Sequence, residues 1–157
     1  MSQSELTLRE IRPSDADFIY SLASDARVTA FVGDGQPWSE EFTMKRLNQA
    51  VQDEHIYWLL ALVNRIPIGL FVASDTGSGV EIGYWVRPEN WGQGVAGRML
   101  NAGLPLVADR FPETDLLARV HEQNTASLKL LERRGFRRGH TDDQRIMTLH
   151  RAAQPRA

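Results

Sequence analysis

At 157 residues, the chain has the length of one domain that can bury about 70% of the surface its unfolded form exposes. It contains no cysteine, which excludes disulfides, thiolate-bound metals and a thiol nucleophile. Its 18 lysines and arginines stand against 20 aspartates and glutamates, a net charge of −2, so no nucleic-acid partner is expected.

The opening stretch has no basic region followed by an apolar one, and the longest apolar run, Ile56 to Val63, is too short to span a bilayer. A cytoplasmic protein with no membrane partner is the expectation. Only Lys45 and Lys129 are lysines; the arginine excess reads first as surface ion pairing.

Leu6 to Ile11 alternates apolar and polar residues and predicts a half-buried strand. Pro13-Ser14-Asp15 supplies a turn and an N-cap for a helix over Asp15 to Ala23. Asp34 to Pro37 is a loop. Ser39 caps a second helix, with Phe42, Leu47 and Val51 as its apolar markers. His55 to Val63 reads as a buried strand, Asn64 to Pro67 as a turn, and Ile68 to Ala73 as the returning strand of a hairpin. After Asp75 to Gly79 comes a third antiparallel strand, Val80 to Arg87. Val95 to Arg110 has helical spacing, and Pro105 is expected to kink or end that helix. Leu116 to His121 is a strand and Thr125 to Arg134 a helix, closed by Gly135 in a left-handed cap. Phe136 to His140 and Ile146 to His150 complete the strands, and the tail from Arg151 frays. The sum is a single mixed α/β domain over residues 1–157, with its core over about 6–150, antiparallel first and βαβ later.

Between strand and helix lies Trp91-Gly92-Gln93-Gly94-Val95-Ala96-Gly97. Small residues let a ligand approach the main chain. The first helical N–H groups lack internal partners, and the helix dipole adds positive potential, so the turn suits an anion, most naturally phosphate. No Gly-Lys-Ser/Thr follows, so it is not a Walker loop. The alternative is a turn that only packs.

The flanks, Glu81 to Ala96, resemble the acetyl-CoA-binding core of the GNAT N-acetyltransferase superfamily. Asn124-Thr125-Ala126-Ser127 with Leu130-Leu131-Glu132 and Gly135-Phe136 is similar to that superfamily's second signature. Leu8-Arg9 with Asp15 and Asp17 resembles the start of its RimJ/RimL-type branch. Gly94 and Ala96 match the last two fixed positions of the family pattern Gln/Arg-x-x-Gly-x-Gly/Ala, while Trp91 stands where Gln or Arg is usual.

The resemblance implies a mostly antiparallel sheet of about seven strands with about four helices, and acetyl transfer from acetyl-CoA to a primary amine. Backbone groups from Gln93 to Gly97, with Trp91 and Gly92 beside them, would hold the pyrophosphate. The strand through Trp85 would pair with the pantetheine arm as an added strand does: Val86 matches the residue whose main chain holds that arm, Tyr84 the one whose N–H faces the thioester carbonyl, and Asn124 the asparagine that contacts the pantetheine region. The implied partners are acetyl-CoA and an amine acceptor, with a homodimer as the assembly common among relatives. The alternative is an acyl-CoA-binding module of the same fold without transfer.

Acetyl transfer needs a neutral amine, a fixed donor for the developing oxyanion and a proton for the departing thiolate. Glu81 is the candidate base. Strand alternation puts it on one face with Gly83 and Trp85, and Tyr84 with Val86 on the other. Many relatives carry a tyrosine acid seven residues after the motif asparagine; here that position is Leu131, and Ser127 is the nearest alternative. His121, at a strand end, is a second candidate base. Trp38, Tyr57, Trp58, Trp85 and Trp91 read as core and cleft wall, or as the lining of an acceptor site. His55, His140 and His150 have no ligand-like spacing, so no metal is expected. Candidate acceptors are a protein N-terminus, a small amine or an amino-acid analogue, with specificity placed in residues 27–58.

Overall fold

A computed structural model describes residues 5–30 and 35–153. Seven strands form one sheet: β1 (Leu6–Glu10), β2 (Ile56–Val63), β3 (Ile66–Asp75), β4 (Val80–Val86), β5 (Leu116–His121), β6 (Arg137–Thr141) and β7 (Ile146–Arg151). Their order is β1-β2-β3-β4-β5-β7-β6. Five helices accompany them: α1 (Ala16–Ala23), α2 (Ala26–Thr29), α3 (Glu40–Gln52), α4 (Val95–Arg110) and α5 (Thr125–Glu132). The expected α/β domain is thus observed, with the four-residue α2 as an addition. Asp34 of the expected loop, and Gln154 to Ala157 of the tail, lie outside the described residues.

The hairpin between β2 and β3 turns on two residues, Asn64 (φ 53°) and Arg65 (φ 67°). Two successive positive φ angles match the twist of antiparallel strands, so Ile66 and Pro67 enter the ladder instead of the turn. Only β4 and β5 pair in parallel, because α4 carries the chain back across the sheet between them.

Alternation along β2 divides the core. Leu59 and Ala61 join α4 and α5 on one face; Trp58 and Leu60 join α1 and α3 on the other. The layer of α1 and α3 packs on β2 and β3 with Trp85 of β4, leaving the sheet beyond it free of that cover.

Three local expectations are corrected. Asp15 does not cap α1 with its side chain. Its carboxylate takes a forked pair from Arg9 at 2.8 and 2.9 Å and the Arg12 N–H at 2.8 Å. In α3 the buried residues are Thr43, Leu47 and Ala50, whereas Phe42 and Val51 are exposed; the inward stripe runs i, i+4, i+7 through a threonine that apolar marking passes over. Finally, α4 continues through Pro105 to Arg110. Ser39 does cap α3, accepting the Phe42 N–H at 3.1 Å.

Candidate active site

β4 pairs with β3 along its whole length, from Val80 to Val86. It pairs with β5 only at Val80, Glu81 and Ile82. Beyond residue 82 the two strands part, and the parity of the backbone shows what faces the gap. The Val80 N–H donates to Asp115 on the β5 side, and the Arg87 N–H donates to Ile68 on the β3 side, each at 2.8 Å. Peptide groups alternate along a strand without a register shift. Tyr84 and Val86 therefore turn their main-chain groups into the gap, while Glu81, Gly83 and Trp85 spend theirs on β3. The Trp91 indole takes one of the open positions, donating Nε1–H to the Val86 carbonyl at 2.8 Å.

The gap opens into a cavity of about 980 Å³. One end is the turn into α4. Gly92 (φ 76°) and Gly94 (φ 74°) both lie in the left-handed region. A Cβ on either would meet nothing within 4 Å, so backbone angle, not crowding, requires glycine here. Gly92, Gly94, Val95, Ala96 and Gly97 line the cavity with Trp91. Gln93 does not; its side chain donates to the Glu89 carbonyl at 3.4 Å and accepts from Asn90 at 3.3 Å. The first N–H groups of the 16-residue α4 have no carbonyl one turn back, which gives this end anion-binding character. The glycines at 92, 94 and 97 stand at Gly-x-Gly-x-x-Gly spacing between two parallel strands. Spacing therefore does not separate this turn from a dinucleotide-binding one. The sheet does, since every pairing except β4–β5 is antiparallel.

Gly97 has a second reason to be small. A Cβ there would sit 3.1 Å from Arg134 Nη2. Arg134 staples α5 to α4, donating to Leu130 O at 2.8 Å, Gly97 O at 3.1 Å and Asn101 Oδ1 at 3.0 Å.

The second wall is the start of α5. Asn124 Oδ1 caps the helix by accepting the Ser127 N–H at 3.3 Å. The Ser127 hydroxyl, left free of the backbone by that arrangement, accepts the Tyr84 hydroxyl at 3.0 Å across 43 residues of sequence. Burial pushes the Tyr84 phenol above its ordinary value; the Ser127 hydrogen bond and the Arg134 charge pull it down by less. Tyr84 thus remains a neutral O–H donor through the physiological range. Leu131 is fully buried in the core, so the position that carries a tyrosine in many relatives serves packing here.

Glu81 lines the cavity from the opposite face of β4, the face shared with Trp85. The Trp85 ring meets Trp38 edge to face at 5.1 Å. Trp58 and Val72 extend that surface. The structure therefore gathers Glu81, Tyr84, Ser127, Asn124 and the Trp91–Gly97 turn around one cavity, with Glu81 and the Tyr84–Ser127 pair on opposite faces of one strand. It holds the Trp85 side chain on the Glu81 side, away from the open edge. His121 is not among the lining residues; its Nδ1 accepts the Gln123 N–H at 3.1 Å. The Tyr84–Ser127 pair was not foreseen. Its only trace in the sequence is an alternation that points Tyr84 toward the helices. Among the described residues no cluster suited to a metal occurs, and no helix is long and apolar enough to cross a membrane.

Residues 5–137 match the acetyltransferase (GNAT) domain family. Nothing among curated proteins matches the chain. Solved structures share the fold. One is an acetyltransferase from Salmonella typhimurium that modifies the N-terminal serine of ribosomal protein L7/L12. It is 20% identical, covers 98% of this chain and 97% of its own, and has a TM-score of 0.79. Another is spermidine N-acetyltransferase from Vibrio cholerae in complex with coenzyme A and spermine, at 18% identity, 92% coverage of both chains and a TM-score of 0.80. A third, the RimL L7/L12 α-N-acetyltransferase in complex with coenzyme A, is 18% identical, covering 97% of this chain and 96% of its own at a TM-score of 0.80.

Proposed function

The chain belongs to the GNAT acetyltransferase family, and from that premise we propose that it moves the acetyl group of acetyl-CoA to a primary amine held in the same cavity. The observation that carries the reading is the open edge of β4 beside the N-terminus of α4. An edge with unspent main-chain groups fits the amide-bearing pantetheine arm as an added strand. The helix end, with two left-handed glycines whose outer face is empty, fits the pyrophosphate. Tyr84 and Val86 would hold the arm, Asn124 would border it, and Gly92 to Gly97 would hold the phosphates. When bound, acetyl-CoA supplies an activated thioester.

The protein's own part is to place two proton-handling groups on opposite faces of β4. Glu81, on the face of the tryptophans, accepts a proton from the acceptor's ammonium and leaves a lone pair for attack. Ser127, on the other face, presents its hydroxyl proton to the leaving sulfur. Because its oxygen accepts from Tyr84, its own hydrogen is directed away from Tyr84, and Tyr84 acts as a positioning residue. Two faces keep the groups from exchanging protons with each other directly.

Glu81→Gln tests the reading. Turnover of an amine panel, followed by thiol release, is expected to fall about 10²–10⁴-fold while calorimetric affinity for coenzyme A stays the same. Unchanged turnover removes Glu81 from the role of base. Tight coenzyme A binding with no turnover of any amine by the unsubstituted protein would leave an acyl-CoA-binding module instead.

A further inference from the structure

The acceptor half of the cavity lies on the face of the sheet covered by α1 and α3, and the charges of its described residues do not cancel. Glu81 is the single carboxylate among the described lining residues, against Arg27, Arg46 and Arg119. Two of the three guanidiniums are answered nearby. Arg27 is 2.7 Å from Asp25, and Arg119 is 3.3 Å from Asp142. Arg46 has no acidic partner among the described residues. It donates to the amide oxygen of Gln49 at 3.1 Å, and its guanidinium carbon stands 6.0 Å from the centre of the Trp58 ring.

Arg46 is also in the wrong place for the cofactor's phosphates. The phosphate turn opens α4, whose buried side chains pack on one face of the sheet. Trp58, over whose ring the Arg46 guanidinium stands, packs on the other. A cation there, backed by an aromatic ring and facing a cavity, is disposed to meet an anion on the acceptor.

We propose that Arg46 recognises a carboxylate of the acceptor, and that the acceptor is an amine that also carries a carboxylate. This rests on the acetyl-transfer reading of the same site. Trp58 pairs with Val72, and Val72 with Gly83, in one row across the sheet. That row spans two strand spacings, about 10 Å, and ends beside Glu81. Gly83 has no side chain to obstruct it. The amine at Glu81 and the carboxylate at Arg46 are therefore several bonds apart, as in an amino acid with an acidic side chain or a short acidic peptide. Among the described residues a polyamine finds one carboxylate and a guanidinium without an acidic partner, a poor match for its second charge.

Matched acceptors test this: glutamate against glutamine, which isolates a side-chain carboxylate, and 4-aminobutyrate against butylamine, which isolates a terminal one. Spermidine serves as the polycationic control. The protein is expected to prefer at least one anionic member over its neutral partner by about tenfold or more in kcat/KM, expressed in KM. Arg46→Gln should bring that preference to within about twofold, with KM for acetyl-CoA unmoved, and Arg46→Lys should restore part of it. Neutral members used equally well, spermidine preferred, or a preference that survives Arg46→Gln would overturn the proposal. Absence of turnover with every amine would instead remove the transfer reading. The charge preference is then read by calorimetric binding of the same pairs to the coenzyme A complex, where equal affinities overturn it.

Discussion

Gly94 and Asp15 are single residues whose environments predict measurable consequences. Gly94 sits at φ 74° with empty space where a Cβ would project. A side chain there costs about 1–2 kcal/mol of backbone strain but meets no neighbour. Gly94→Glu is therefore expected to melt within a few degrees of the unsubstituted protein while losing affinity for coenzyme A by about a hundredfold or more, because it sets a negative charge where the phosphates would lie. Gly94→Ala separates strain from charge and should lose far less. An intact melt with affinity kept within twofold in Gly94→Glu would refute the phosphate cradle. Asp15 is almost fully buried. Burial raises its pKa, but the Arg9 fork, the Arg12 N–H and the charges of both arginines outweigh it and hold the carboxyl below the ordinary range. The folded state thus prefers the ionised form. The stability this contributes is fully present above the unfolded-state value near 3.8 and is lost as pH falls through the lower folded value. Asp15→Asn should destabilise by about 2 kcal/mol at pH 7 and flatten the acid limb of the stability–pH curve. An acid limb identical in the two proteins would show that the pair does not govern it.

Helix α4 sets the dimensions of the site from one side, and two of its positions have opposite sensitivities. Gly103 is buried against Phe71; a Cβ there would come within 2.9–3.0 Å of three ring atoms. Gly103→Ala forces the helix off β3 and should cost about 1–3 kcal/mol, overriding the better helix propensity of alanine. Pro105 is exposed on the same helix and cannot donate to the Asn101 carbonyl one turn back. Pro105→Ala restores that donor and should stabilise, by up to about 3 kcal/mol. Thermal or urea melts of both variants give the two signs. A stabilised Gly103→Ala would mean that the contact between α4 and β3 is looser than the backbone spacing implies. That α4 runs on through Pro105 follows from its burial: seven of its residues are buried, and their packing exceeds the loss of one hydrogen bond.

Across the whole molecule, the two parts of the sheet are joined by three residue pairs between β4 and β5, by α4, and by the Arg134 staple between α4 and α5. The cavity lies where the pairing stops. A ligand that adds main-chain hydrogen bonds along the open edge of β4 should tie these parts together and stabilise the folded state selectively. At coenzyme A concentrations about 100-fold above Kd, the gain is about 2.7 kcal/mol, a rise in Tm of about 5–10 °C for a chain of this size. Differential scanning fluorimetry with coenzyme A, and with free pantetheine as a comparison, reads both the edge and the phosphate turn. A Tm unmoved by coenzyme A at millimolar concentration would exclude the cavity as its site.

Much of this was legible in the residues themselves. Period-two alternation located the first strand, an aromatic and aliphatic run between turn residues located the hairpin, helical spacing located the long helices, and Ser39 and Gly135 marked helix ends, because each signal depends only on neighbours in the chain. The Trp91–Gly97 turn was legible for the same reason: a glycine-rich strand-to-helix junction is a local object. Phe42 and Val51 misled, since apolar residues mark a buried face only where another element arrives to cover it. The parting of β4 from β5 after Ile82 has no local signature and was decided by how α4 returns the chain. The Tyr84–Ser127 bond joins residues 43 positions apart, and the exposure of Arg46 to the cavity depends on α3 lying over β2. Such contacts are set by which surfaces the core brings together, so the local chemistry of the chain determined the elements and the glycine-rich turn, while the packing of two helical layers on one splayed sheet decided which side chains face each other across the site.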